Sequence, residues 1–102
     1  MKHISVKRQS QLAEYYALEE KLRELCGNRS ELSGEAPDWV TKFLVKGHHI
    51  NGRNGKRLLD VFNIVMVVNA EHVREQQYLP GAYGKEALLE LVREIRLKQE
   101  FS

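Results

Sequence analysis

One cysteine, Cys26, in 102 residues leaves no partner for an intramolecular disulfide. A disulfide framework is therefore excluded, and a reducing cytoplasm is the natural setting. No apolar run approaches the length that crosses a bilayer, and the opening Met1-Lys2-His3-Ile4-Ser5 has no signal-peptide apolar stretch. Repeats and low-complexity segments are absent. So is any motif that would support an oxidoreductase or a kinase. The expectation is a cytoplasmic protein with no membrane partner. A net charge of +2 is too small to argue for nucleic acid by itself.

What is there is ordinary in amount and uneven in placement. A content of 42% hydrophobic and 29% charged residues suits a globular protein, and 102 residues suffice for one domain, 1–102, with a modest core. From Met1 to Ala13 there are Lys2, Lys7 and Arg8 and no acid. From Trp39 to Leu59 there are Lys42, Lys46, Arg53, Lys56 and Arg57, again with no acid, and two adjacent histidines sit inside that run. The acids gather between Glu14 and Glu35. The positive field therefore surrounds the histidines, as a phosphodiester substrate would require. A solvated basic loop is the plain alternative.

Local signals divide the chain. Residues 1–9 read as a short basic arm. Ser10 is a credible N-cap for a helix over 10–26, with Gly27 as its stop. Leu12, Tyr15, Tyr16, Leu18, Leu22, Leu25 and Cys26 form its apolar stripe, both tyrosines being read as core. Residues 28–37 are a polar loop. Asp38 caps a turn holding Trp39, which is read as core between the first helix and the next unit. Phe43-Leu44-Val45 looks like a short strand. Asn51, Gly52, Asn54 and Gly55 mark a loop, and the β-branched run from Asn63 to Val68 a buried strand. Asn69 is a plausible N-cap for a helix whose first turn holds Glu71 and His72. A break at Tyr78-Leu79-Pro80-Gly81 precedes a helix over 85–99. Leu88, Leu91, Val92 and Ile95 form its apolar face, and Glu86, Glu90, Arg93, Glu94 and Arg96 suit a solvated one. The class is α+β, with strand, loop, strand and helix over 43–77.

Three of the four histidines, His48, His49 and His72, fall within 25 positions. Neutral imidazole is the commonest side-chain ligand for catalytic transition metals. The end of the first strand and the start of the helix could meet around one ion. His3 has no partner and reads as surface.

His-His, then Asn63 fifteen residues after His48, then His72 nine residues after Asn63, is a spacing that resembles the HNH endonucleases. The wording His-His-Ile-x-Gly-Arg-x-Gly-x-x-Leu-x-Asp looks most like the short HNH proteins of phages and prophages. The resemblance reaches from about Ser5 to about Ala87, and only its central motif is highly specific. It implies a ββα-metal (His-Me finger) core, flanked here by the long N-terminal helix and the C-terminal helix. It implies hydrolysis of DNA phosphodiester bonds with one divalent ion, in a bacterial host cell, with a phage or host DNA-processing protein as a further partner. His49 would be the general base, His48 and His72 metal ligands, and Asn63 would hold the base through backbone hydrogen bonds. Arg53 would clamp a phosphate, with Lys46, Lys56 and Arg57 as further nucleic-acid contacts.

The chain departs from the family in two places. Many relatives carry two Cys-x-x-Cys pairs holding a structural zinc. Here only Cys26 remains, with Arg23 three residues before it, so no structural zinc is expected and Cys26 reads as a small buried apolar residue. Many also carry a further metal-binding histidine four residues after the last, where this chain has Gln76. Gln76 suits Mg²⁺ or Mn²⁺ better than Ni²⁺ or Zn²⁺; Glu75 and Asp60 stay open as substitutes. These departures favour a rival reading, a non-catalytic module on the same fold that binds DNA or a partner. A third reading is a protein-binding accessory factor built on the two amphipathic helices.

Overall fold

The computed structural model describes residues 6–102. Helix α1, Val6–Leu25, turns its apolar positions Tyr15, Leu18 and Leu22 inward at helical spacing. Its end is fixed by hydrogen bonds rather than by fading propensity. Gly27 takes φ 65°, its N–H donates to Glu24 O, and the Asn28 N–H donates to Arg23 O. This double closure satisfies two terminal carbonyls, and the glycine has no Cβ to clash. The helix includes Val6 to Gln9, which the sequence reading gave to a basic arm over 1–9. Ser10 therefore lies inside the helix and does not cap it. The rest of that arm, with Lys2 and His3, lies outside the described residues.

The expected strand at Phe43 to Val45 is displaced. Lys42 and Phe43 hold φ values of 55° and 62°, a left-handed pair that no strand can contain. The strand, β1, begins after them and covers Lys46–His49. It pairs antiparallel with β2, Ile64–Val67, in a register that sets His48 against Val65 and His49 against Ile64. The same turn overturns the core reading of Trp39. That indole is 76% exposed and Phe43 63% exposed, because the turn closed by Asp38 carries them outward.

Strand alternation sends β2 side chains to two separate cores. Ile64 and Met66 pack with Tyr15, Leu22, Val45 and Leu58 on the α1 side, with half-buried Cys26 against them. Val65 and Val67 face Leu88 and Val92 of α3, Lys85–Lys98. Both faces of β2 are covered, so all four of its residues are buried. In chain order α2, Asn69–Gln76, comes between β2 and α3. Its cap is Val68, one residue earlier than the Asn69 cap expected. The Glu71 carboxylate accepts the Val68 N–H and the Ser30 hydroxyl, and this pins the helix start. The result is an α+β fold of three helices around a two-stranded antiparallel sheet, among the described residues. No helix among them is long and apolar enough to cross a membrane.

Among the described residues the outer edge of β2 has no third strand. Side chains close it instead. Glu31 accepts the Met66 N–H through its carboxylate and donates its own N–H to Met66 O. Arg96, from α3, donates to Glu31, to Ile64 O and to Val61 O. Arg96 was expected on a solvated face; it is 0% exposed.

Candidate active site

Adjacent strand residues point to opposite faces, so β1 divides its two histidines. His48 is buried on the α2 and α3 side, where α2 brings His72 to it from the end of its first turn. The two Nδ1 atoms stand 3.1 Å apart. A contact between ring nitrogens needs one lone pair, so at least one ring is neutral. Burial pushes the His48 imidazole down to about 4, helped by His72 and His49 and opposed by the Glu75 carboxylate. Burial also lowers His72. Both rings are therefore neutral near pH 7, the state that ligates metal.

That geometry suits a shared ion. Two imidazole nitrogens on one divalent ion, each about 2.0–2.1 Å from it, stand roughly 2.9–3.4 Å apart. Among the described residues no three His, Cys, Asp or Glu side chains form a ready ligand cluster. Gln76, one turn beyond His72, is exposed on the same cleft. Of the other candidates, Asp60 is occupied as a cap, accepting the Phe62 N–H. Glu75 is buried and accepts the N–H groups of Tyr83 and Gly84 and the Arg74 guanidinium. Burial alone would raise its carboxyl, but those donors outweigh it and hold it below the usual range.

His49 lies on the α1 side. Its Nε2 donates to Leu58 O at 3.1 Å, because a carbonyl can only accept. That bond leaves Nδ1 with the lone pair. Burial lowers its pKa, and the Arg53 guanidinium adds to this, against the Leu58 carbonyl. Its ring packs on Tyr15, with centroids 4.8 Å apart. Asn63 is buried and fully engaged. Its Oδ1 accepts the Asn51 N–H at 2.8 Å, and its Nδ2 donates to Gly52 O and Arg57 O. One side chain thus ties both ends of the loop that joins the strands.

An open cleft of about 610 Å³ runs along β1 and is lined by His48, His49 and His72 together. Arg53 and Lys46 line it as well, and the Arg53 guanidinium lies 5.2 Å over the Tyr15 ring. Two basic candidates stand elsewhere. Lys56 borders a separate hollow with Lys7, and Arg57 donates to Asn51 O, bracing the loop.

Two cleft residues escaped the sequence reading. Glu19, an acid in the middle of a helix, is buried where it accepts the Tyr15 hydroxyl and the Gly47 N–H, both at 3.0 Å. Burial and that carboxylate push the Tyr15 hydroxyl pKa up, so it stays a donor. Lys85 lines the opposite wall from the start of α3. Neither carries a local sequence signal, since what matters is the tertiary approach. Tyr16, read as core, is exposed at the cleft instead. No family model, characterised protein or solved structure matches the chain.

Two expected outcomes follow from this packing. A Cβ at Gly47 would collide with the Tyr15 hydroxyl and press on Ile64 Cγ2 at 3.0 Å. Gly47→Ala should therefore cost about 1–3 kcal/mol in urea denaturation. The second concerns pH. The unfolded His48 titrates near 6.5 and the folded one near 4, so the unfolded chain binds more protons between those values. The metal-free protein should lose stability as pH falls from 6.5 through 4. The urea midpoint measured across that window checks this, and His48→Asn should flatten the slope.

Proposed function

We propose that this chain is a divalent-metal-dependent endonuclease of the HNH type, of the phage or prophage kind, hydrolysing DNA phosphodiester bonds. The observation that carries the reading is the 3.1 Å approach of His48 and His72 Nδ1, with His49 next in the strand and held by Leu58 O. His48 and His72 would hold the ion, with Gln76 as the nearest further donor on that helix. When bound there, a divalent ion supplies Lewis-acid stabilisation of the phosphate and of the leaving 3′ oxygen. His49 takes the proton from the attacking water at Nδ1, a task suited to a neutral imidazole. Asn63 keeps the loop, and through it Leu58 and His49, in one arrangement. Arg53 holds the phosphate from the cleft wall.

The absence of a third ready carboxylate or imidazole among the described residues favours the rival, a module on this fold that binds DNA without cutting it. Supercoiled plasmid incubated with Mg²⁺, Mn²⁺, Ni²⁺ or EDTA separates the two. Nicking that needs metal, together with calorimetric metal binding lost in His72→Ala, is the expected result. No nicking with any ion, alongside salt-sensitive DNA binding, would establish the rival.

A further inference from the structure

Tyr16 and Tyr78 have no part in the chemistry above, yet both stand on the wall of the same cleft. They are 60% and 63% exposed. Tyr78 also holds φ 52°, the left-handed region that a bulky residue enters only at a cost. The charges around them are one-sided. Lys46, Arg53 and Lys85 line the cleft with exposed side chains, whereas its two acids, Glu19 and Glu75, are each paired with an arginine, Arg23 and Arg74. The volume, about 610 Å³, lies within the roughly 300–1,000 Å³ of pockets that enclose small ligands. That is room for about one or two nucleotides.

Aromatic faces set among cations that make no ion pair among the described residues are how sequence-tolerant binding of unpaired strands is built, because only an unpaired base can offer its face to a ring. We propose that the cleft takes a single-stranded or locally unpaired DNA segment, its bases stacked on Tyr16 and Tyr78 and its phosphates held by Lys46, Arg53 and Lys85. This rests on the reading of the cleft as the DNA site and adds the form of the substrate. Weak dependence on base sequence follows, since every base offers a face to stack.

The test is fluorescence anisotropy of the full chain in EDTA, so that binding is read without cleavage. The probes are a labelled oligothymidine and a hairpin duplex of equal nucleotide count. The single strand should bind about tenfold more tightly or better. Tyr16→Ala and Tyr78→Ala should each weaken it by about five- to a hundredfold, while the phenylalanine variants keep it. Both side chains are exposed, so unchanged circular dichroism melting should show that the variants fold. Equal or tighter duplex binding would overturn the proposal, as would alanine variants that bind like wild type. Tight single-strand binding with no cleavage in any metal would sink the nuclease reading and leave this one standing. Metal-dependent cutting of duplex DNA with no single-strand preference would do the reverse.

Discussion

Arg96→Ala should cost about 3–5 kcal/mol, a large share of the roughly 5–15 kcal/mol that holds a domain of ordinary stability. The guanidinium makes two 2.7 Å bonds to the Glu31 carboxylate and donates to Ile64 O, Val61 O and Gln99 Oε1. Its side chain is fully buried and that of Glu31 nearly so. Truncation leaves a carboxylate charge in the interior with no counter-ion, which is the expensive half of breaking a buried pair. Lysine should not rescue it, because one ammonium cannot reproduce a planar fork that spans a carboxylate and two carbonyls. A paired Arg96→Met, Glu31→Leu variant should recover only part of the loss. It removes both charges, yet Val61 O, Ile64 O and the Met66 N–H still lose these partners. Denaturation should be followed by circular dichroism, since the lone tryptophan is solvated even in the native state. An Arg96→Ala midpoint close to wild type would contradict the account.

His49→Ala should lower plasmid cleavage by about 10²–10⁴-fold while leaving metal affinity within about twofold, the range for removing a general base. The separation of the two readouts matters. His48 and His72 lie on the far face of β1, so a loss confined to turnover identifies His49 with proton transfer rather than with the ion. Its pKa is lowered from 6.5, chiefly by burial, so the acid limb of the rate profile should fall below pH 6.5. Below that limb the ring is protonated and cannot accept a proton. If His49→Ala lost metal binding and turnover together, the division of roles between the neighbouring histidines would be wrong.

The parts of the fold that were legible in the sequence are those set by local pattern. The β-branched run from Ile64 to Val67 and the Gly27 stop are of that kind, as is the apolar face of α3. The spacing drew attention to His48 and His72, which line one cleft with His49, and to Asn63, which lies outside that cleft and hydrogen-bonds loop backbone. What escaped depends on tertiary approach. Arg96 carries the same local signal as its solvated neighbours Arg93 and Glu94, and only the unsatisfied edge of β2 distinguishes it. Trp39 and Phe43 look like core by hydropathy, but the left-handed pair at Lys42 and Phe43 turns them out. Glu19 looks like any helix-face acid until β1 arrives with an amide to satisfy.

The closure of the β2 edge by side chains also sets an order of events. Arg96 and Glu31 are 65 residues apart, and Arg96 reaches Ile64 across 32. Such contacts are slow to find, because the loop entropy is lost before the bonds form. The β1–β2 hairpin can pair early, but the Ile64 end of the β2 edge stays open until α3 docks. The two histidines on β1 thus take their register from β2, and the last helix, once seated, secures the strand that holds them. Amide exchange should report this directly: Met66, held by Glu31, should open only with the whole molecule, whereas the Lys42 turn should exchange by local fluctuation.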